Sequence, residues 1–267
     1  MTRFIAALPM YDWPERHREV DAEWAAIRDR LRAAGIDAPQ RLARSNADLP
    51  PVPGGIRDNA GRVIAPDPAT LPADSLDYPT LWRHPALLFA QTCWGPLGAT
   101  GLDEHVTILG QPDYSGFEGG EGQLYSSAIV MRAGDGGESD VPAPRDGVAL
   151  LPLDRLKGKR LAYNEPHSMS GLLALTQDLA GAGTGLALFS GRIETGGHRA
   201  SIRAVAAGTA DLATIDCRSW ALARQFEPAA GGLAVVGWTA QRKGLPFIAA
   251  KEFAGLFHPA FAGAITT

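Results

Sequence analysis

Two glycine-containing turns in the second half of the chain bring together hydroxyl groups, a histidine and accessible backbone. The first, Y-N-E-P-H-S-M-S-G, runs from Tyr163 to Gly171, and the second, T-G-G-H, ends at His198. Each turn precedes a segment with helical spacing, and a helix start leaves backbone N–H groups unpaired and carries partial positive charge. Hydroxyl donors at Ser168 and Ser170, with Gly171 allowing close approach to the backbone, suit a phosphate-like anion. For either turn taken alone, ordinary helix capping is the competing interpretation.

An acidic residue and several aromatic residues are the other candidates for chemistry. Asp216 ends the run D-L-A-T-I-D, and its carboxylate would repel an anion unless a cation or a shared proton lay between them. We therefore expect Asp216 to bind a ligand ammonium group or a protonated ligand oxygen, or to cap the helix that follows it. His198 supplies a donor that is cationic when protonated. Tyr11, Trp13 and Trp94 are candidates for the walls of a cleft.

Strands that alternate with helices must position these residues, and this alternation predicts parallel sheets with crossover helices. Strands are predicted at 4–8, 86–92, 105–110, 125–132, 156–164, 211–216 and 232–239. Helices are predicted at 168–181, 195–208 and 217–226, the first with Leu172, Leu175 and Leu179 on one side. Prolines between residues 35 and 80 exclude long regular elements there.

A further helix is predicted near the N-terminus. Asp12 and Glu15 have the spacing of a capping box, and Gly35 is a suitable stop. The apolar residues that define one helix face between them are Val20, Trp24, Ile27 and Leu31.

Most of the polar turns follow predicted strands. In open α/β sheets, ligands bind outside the carboxyl ends of the strands. The turns concerned are P-M-Y-D-W, Q-T-C-W-G (which contains Thr92), N-E-P-H-S-M-S-G and I-D-C-R-S-W, and T-G-G-H adds a loop that opens a helix. Two come from the first half of the chain and three from the second, so we expect two lobes with these turns facing one cleft.

Composition excludes several classes of function. The chain has 267 residues and a net charge of −4, with no basic cluster that would bind nucleic acid. No apolar run is long enough to insert into a membrane, and Pro9 interrupts the apolar N-terminus, so no signal peptide is predicted and the chain as written is expected to be cytoplasmic. Two cysteines are too few for a Cys-rich zinc site, and we expect no metal and no cofactor.

Six segments together resemble a known family. They are L-P-M-Y-D-W, L-L-F-A-Q-T-C-W-G-P-L, N-E-P-H-S-M-S-G, T-G-G-H-R-A-S, A-D-L-A-T-I-D-C and G-L-P-F-I, and they span nearly the whole chain except the Pro-rich 45–75 region. The chain thus resembles the substrate-binding proteins of phosphate, phosphite and phosphonate ABC importers, a branch of the type II periplasmic binding proteins. The resemblance implies an α/β fold of two lobes, each a mostly parallel sheet flanked by helices, with the ligand in the cleft between them.

The resemblance also implies a ligand, a partner and a location. The implied ligand is a small oxyanion, the implied partner is an ABC transporter permease, and the implied location is the periplasm. Lobe 1 is predicted to comprise residues 1–128 plus 239–267, and lobe 2 residues 129–238. The predicted ligand-binding residues are Tyr11, Thr92, Trp94, Ser168, Met169, Ser170, Gly171, His198 and Asp216, with no catalytic residue.

Two alternatives stay open at this point. One is a cytosolic ligand sensor of the same fold, which the missing export signal favours. The other is an enzyme with Cys93 or Cys217 as nucleophile and His198 or His167 as base, because both cysteines fall in predicted cleft turns. A disulfide between the two cysteines would lock a hinge and is not expected in a receptor.

Overall fold

The structure is a computed structural model that describes residues 4–136 and 140–257. Within these residues the strands are β1 Ile5–Ala7, β2 Ile56–Arg57, β3 Val63–Ala65, β4 Leu87–Gln91, β5 Val106–Gly110, β6 Gly120–Glu121, β7 Leu124–Tyr125, β8 Ser127–Arg132, β9 Arg160–Tyr163, β10 Gly191–Glu194, β11 Leu212–Asp216, β12 Leu233–Trp238, β13 Arg242–Lys243 and β14 Phe247–Ala250.

The helices of the same residues are α1 His17–Ala33, α2 Tyr78–Arg83, α3 Trp94–Ala99, α4 Ala133–Gly136, α5 Leu153–Leu156, α6 Ala174–Gly181, α7 His198–Ala206 and α8 Cys217–Phe226. A π-helical turn, Met169–Leu173, runs directly into α6. Short 3-10 helices lie at Pro14–Arg16, Asn46–Asp48, Pro68–Thr70, Leu102–Glu104, Leu186–Leu188, Pro228–Gly232 and Lys251–Leu256. No described helix combines the length and the apolar character needed to cross a bilayer.

The chain forms two compact units. The first comprises the chain up to Pro112 and from Leu245 onward, and the second comprises Asp113–Gly244. The lobes predicted from the sequence, 1–128 plus 239–267 and 129–238, stay a prediction. The second unit includes a small sheet in the order β13-β7-β6. Residues 1–3 and 258–267 of predicted lobe 1, and 137–139 of lobe 2, lie outside the described residues.

The first unit is built on a sheet in the order β1-β4-β14-β5. Strand β1 is parallel to β4, whereas β14 runs antiparallel to both β4 and β5, so only β14 is reversed in this sheet. Along β1, Ile5 and Ala7 belong to one buried apolar cluster and Ala6 to another. This sheet is therefore buried on both faces, as expected of a parallel α/β sheet.

The second unit is built on a sheet in the order β10-β9-β11-β8-β12. Strands β10, β9 and β11 are parallel, and β8 runs antiparallel to its neighbours β11 and β12. The predicted stripe of Leu172, Leu175 and Leu179 packs into one apolar cluster with Leu161 and Leu212 of the sheet. The mostly parallel direction of the strands, with one reversed strand per sheet, confirms the predicted α/β class.

Several local predictions need correction. Asp12 does not cap the first helix: α1 begins at His17 after a 3-10 turn, and Asp12 instead accepts hydrogen bonds from Arg44. The predicted turn C-W-G-P-L-G is mostly helix α3, which tolerates Pro96 in its first turn. Strand β10 was not predicted, because it is a short edge strand whose residues are only partly buried or exposed.

The apolar face predicted for α1 is confirmed. Val20, Trp24 and Leu31 are buried, and Ile27 packs against their cluster.

The Pro-rich 45–75 region is an ordered surface segment with only short regular elements. Asn46 ties it together by donating to the carbonyl of Pro72 and accepting from the N–H of Asp77.

Core truncation in the second unit should be costly. Leu175 is fully buried, so Leu175→Ala is expected to lower the free energy of unfolding by about 2–5 kcal/mol through lost transfer energy and a cavity. Urea denaturation of the variant and of wild type measures this loss in the free energy of unfolding. The matched control is Leu150→Ala, at a side chain 43% exposed, which should change stability by less than about 1 kcal/mol. Equal losses for the two variants would contradict this assignment of the core.

Candidate ligand-binding site

Three polar turns of the second unit leave the same edge of its sheet. Because β9, β10 and β11 are parallel, their carboxyl ends lie together, and Tyr163 pairs with Glu194 at the end of the β9–β10 ladder. The two chains stay side by side beyond the strands: the carbonyl of Tyr163 accepts from the N–H of Thr195, and that of Asn164 from the N–H of Gly196. The turns N-E-P-H-S-M-S-G and T-G-G-H are therefore neighbours, as the strand-end rule predicts.

Ser168 caps the first of the two helix starts. Its Oγ accepts from the N–H of Gly171 at 3.1 Å, and its carbonyl accepts from the N–H groups of Leu172 and Leu173. The second of these carbonyl bonds widens the first turn into a π-helix. The capping interpretation thus holds for Ser168, while the hydroxyl of Ser170 is left for another partner.

Gly171 is required by the space around the turn. A Cβ at this position would lie 2.9 Å from Oγ of Ser168 and 3.0 Å from Cγ of Asn164. The carbonyl of Gly171 accepts a 2.8 Å hydrogen bond from Oγ1 of Thr214, a buried polar residue of β11. The side chain of Asn164 therefore packs closely against the turn, and the central strand bonds it through Thr214.

The two helix starts meet at His198. Nε2 of His198 lies 2.9 Å from Oγ of Ser170 and 3.1 Å from Oδ2 of Asp216. The side chains of His198 and Asp216 are 13% and 2% exposed, so this contact is largely shielded from water. The starts of the π-helical turn and of α7 therefore converge, together with Asp216, at one point of the second unit.

The arrangement differs from a catalytic Ser–His–Asp triad. In such a triad the serine and the carboxylate bind opposite ring nitrogens. Here both contact Nε2, and Nδ1 of His198 is buried with no hydrogen-bond partner among the described residues. The histidine is therefore not oriented by Asp216 as a base for Ser170.

Asp216 caps the helix that follows it, which is one of the two roles expected of it, and its other oxygen contacts His198. Oδ1 accepts from the N–H of Ser219 at 2.9 Å, which caps α8, and Oδ2 faces His198. Burial alone would raise the pKa of Asp216, but the hydrogen bonds and charge of His198 and the bonds from Ser219 outweigh it and lower the pKa below its ordinary value. Asp216 is thus a buried carboxylate whose ionised form is favoured by its contacts with His198 and Ser219.

The predicted residues of the first unit lie at the corresponding edge of its own sheet. Tyr11 follows β1, and Thr92 and Trp94 follow β4. Tyr11 is buried, and Trp94 is half-buried at the start of α3 against an apolar cluster. Thr92 is fully buried, and its Oγ1 has no hydrogen-bond partner among the described residues. Trp13 ends the turn before α1, and its carbonyl accepts from Arg16.

Sequence reasoning missed several polar residues at the edge of the second sheet. Thr214 bonds the Ser168–Gly171 turn, Asn164 packs against it, and Ser127 pairs with Asp216 across the β8–β11 ladder. Oγ of Ser127 is buried without a hydrogen-bond partner among the described residues. The available signal was the presence of polar residues in otherwise apolar buried strands.

In the T-G-G-H turn, Thr195 is not the cap of the helix. Its hydroxyl bonds Tyr163 and Ser201, and Gly197 is the N-cap residue of α7.

Both cysteines are buried, and they are not joined in a disulfide. Burial, reinforced by the neighbouring carboxylate of Asp216, raises the pKa of the Cys217 thiol far above its ordinary value. A nucleophilic cysteine needs the opposite shift. Cys217 therefore lacks the electrostatic setting of a catalytic thiol.

Solved structures with the same architecture define the class of protein. The chain is similar to PhnD1 from Prochlorococcus marinus (MIT 9301), solved with methylphosphonate, at a TM-score of 0.60 and 15% identity over 99% of this chain and 83% of that one. It is also similar to a phosphonate-transporter binding protein from Pseudomonas aeruginosa, at a TM-score of 0.57 and 14% identity over 96% and 71% of the two chains. The fold is that of the two-lobe type II periplasmic binding proteins.

The sequence itself identifies the family. Residues 95–266 match the family described as "ABC transporter, phosphonate, periplasmic substrate-binding protein". The chain belongs to this family, whose members bind solutes and are not enzymes. No curated protein sequence matches the chain.

Alkylation of Cys217 tests the electrostatic setting of the thiol. Because its pKa is raised and its side chain is buried, we expect iodoacetamide to leave Cys217 unmodified in the folded protein at pH 7.5. Peptide mass spectrometry measures the modification, and the same treatment in guanidinium chloride is the positive control. Rapid labelling of folded protein at Cys217 would revive the enzyme alternative.

Acid should remove the contribution of Asp216 to stability. Its folded pKa lies below its ordinary value of about 3.9, so the stabilisation is complete above that pH and is lost as the pH falls through the folded pKa. Asp216→Asn is expected to cost about 1–3 kcal/mol at pH 7, with a smaller difference from wild type near pH 3. Urea unfolding of the variant and of wild type between pH 3 and pH 7 measures this difference in stability.

The exposed Asp154 provides the control for this series. Asp154→Asn should change stability by less than about 0.5 kcal/mol at either pH. A gap between wild type and Asp216→Asn that is as large at pH 3 as at pH 7 would contradict the assigned pKa direction.

Proposed function

We propose that this protein captures a small oxyanion of the phosphonate, phosphite or phosphate type for an ABC importer. In the second unit the ligand group would contact Ser168, Met169, Ser170, Gly171, His198 and Asp216. Tyr11, Thr92 and Trp94 stay predicted ligand contacts of the first unit.

One observation carries the proposal: two helix starts converge on the Ser170–His198 contact. Each helix start contributes unpaired N–H groups and partial positive charge, which favour an anion. The hydroxyls of Ser168 and Ser170 supply further donors. A site of this kind binds a phosphate-like group without a lysine.

Asp216 limits what such a site accepts. A carboxylate beside a bound anion requires a cation or a proton between the two charges. The carboxylate of Asp216 is buried 3.1 Å from Nε2 of His198, so the imidazole can supply that cation or proton. A ligand oxygen that carries a proton can donate to the remaining capacity of Asp216. This favours oxyanions that retain a proton near neutral pH over fully ionised ones such as sulfate.

The importer partner is proposed from the family description and from the P. marinus and P. aeruginosa proteins, whose names refer to phosphonate. A cytosolic ligand sensor of the same fold would bind the same ligands. Capture of the chain by its cognate permease in nanodiscs supports the importer role, and its absence under ligand-saturating conditions would favour the sensor.

Titration calorimetry tests the ligand class. Among methylphosphonate, phosphite, phosphate, sulfate and methanesulfonate, at least one phosphorus oxyanion should bind with a Kd well below 1 mM (about −4 kcal/mol). Ser170→Ala and His198→Asn should each weaken that binding by about 10- to 100-fold, as expected for a hydrogen bond to a charged group of ~1.5–3 kcal/mol.

Controls separate binding from folding in this experiment. Ser190→Ala, at an exposed serine of the same unit, should leave the affinity unchanged. Ser170→Ala should not lower the free energy of unfolding by more than about 1 kcal/mol. His198→Asn removes the partner of the buried Asp216 carboxylate and should cost about 1–3 kcal/mol, so its affinity is measured under conditions where it is folded. Absence of binding across the whole panel would refute the oxyanion proposal, and an unfolded Ser170→Ala that still binds normally in its folded fraction would favour a purely structural role.

A further inference from the structure

We propose that Glu227 is a positioning residue for the ligand site: it fixes the start of α7 and thereby holds the imidazole of His198 against Ser170 and Asp216. The inference about affinity rests on the proposed function, whereas the inference about the pose of His198 does not. Glu227 lies outside every turn from which the sequence predicts ligand contacts.

The carboxylate of Glu227 is a buried acceptor for two arginines of α7. Oε2 accepts from Nε of Arg199 at 2.7 Å and from Nε of Arg203 at 2.9 Å. The Glu227 side chain is only 5% exposed, while those of Arg199 and Arg203 are 25% and 60% exposed. Removing one partner of a buried charged pair leaves the other unpaired and is costly.

Glu227 is itself held rigidly. Its N–H donates to the carbonyl of Ala223 at the end of α8, and its Oε1 accepts from the N–H of Ala229 at 3.4 Å. A second bond from Arg199 reaches the carbonyl of Phe226 at 3.2 Å. Arg199 is therefore fixed by a bidentate contact to the C-terminal end of α8, a geometry that lysine cannot reproduce.

The position of Arg199 connects this contact to the site. Arg199 follows His198, which is the first residue of α7. The N-cap residue of α7 is Gly197, which has no side chain to cap the helix. Helix α8 carries Asp216 at its start and Glu227 immediately after its end. The two carboxylates thus contact successive residues of α7, with Asp216 at His198 and Glu227 at Arg199.

Glu227 also controls charge near the site. Burial opposes its ionisation, but the hydrogen bonds from Arg199 and Arg203 outweigh this and lower the pKa of Glu227. The ionised carboxylate neutralises Arg199 next to His198. Without it, the Arg199 guanidinium would lose its buried anionic partner and be left as an uncompensated positive charge beside His198.

The experiment compares Glu227→Gln with a matched carboxylate in the same unit. Asp211 also accepts from two arginines, Arg160 and Arg132, but lies just before β11, at the opposite end of that strand from Asp216. In ligand-free protein, Glu227→Gln is expected to shift the imidazole nitrogen resonances of His198, measured by two-dimensional NMR and assigned with His198→Asn. Asp211→Asn should leave them in place.

A double-mutant cycle with methylphosphonate as the probe tests the effect on binding. Glu227→Gln should weaken binding by about tenfold in the wild-type background and by less than twofold in the His198→Asn background, because a residue that acts through His198 has no effect once the imidazole is gone. A merely structural role predicts the same loss in both backgrounds, and that result would overturn the proposal.

Two safeguards keep the outcomes distinct. If Glu227→Gln does not fold, Arg199→Lys keeps the charge but loses the bidentate geometry and should shift the His198 resonances in the same direction. If no phosphorus oxyanion binds wild type, the proposed function fails while the NMR comparison still decides the positioning role. Unchanged His198 resonances in both folded variants would refute it.

Discussion

The contact that organises the ligand site is the pair of interactions at Nε2 of His198. Ser170 reaches it from the π-helical turn before α6, and Asp216 reaches it from the end of β11. A buried ionised carboxylate is unfavourable unless it is paired and hydrogen-bonded, so Asp216 needs both His198 and the Ser219 N–H. The site is therefore one cluster of interacting side chains, Ser170, His198 and Asp216, and not a set of independent helix caps.

The local backbone follows from this cluster. Ser168 accepts the Gly171 N–H, Thr214 donates to the Gly171 carbonyl, and the two turns after β9 and β10 bond each other through Thr195 and Asn164. Each bond satisfies a polar group at the edge of a sheet whose interior is apolar, where an unpaired group would be costly. The rigidity that results is the preorganisation a small-ligand site requires.

Membership of a solute-binding family agrees with this chemistry. Ser170 and Asp216 both contact Nε2 of His198, so the three residues lack the geometry of a catalytic triad. The thiol of Cys217 is kept protonated by burial, which is the opposite of what a nucleophile needs. What the cluster offers is donors, helix dipoles and one neutralised carboxylate. Those groups suit the binding of an anion proposed above, and they do not form a catalytic triad.

The sequence by itself determined the α/β class, the apolar faces of α1 and α6, the cap at Asp216 and the family. These depend on local periodicity, on capping chemistry and on motifs that lie within single segments. Through the strand-end rule it also predicted that the turns after β9 and β10 lie at one edge, and the parallel pairing of these strands places them side by side.

Only the tertiary structure decided which atoms meet. The shared Nε2 of His198, the hydroxyl of Thr214 beneath Gly171 and the contact of Glu227 with Arg199 join residues between 18 and 43 positions apart in sequence. The same limit explains the wrong cap at Asp12, whose carboxylate pairs with Arg44. Such contacts depend on how strands are ordered in a sheet and how helices cross it, and no spacing within one segment encodes that order.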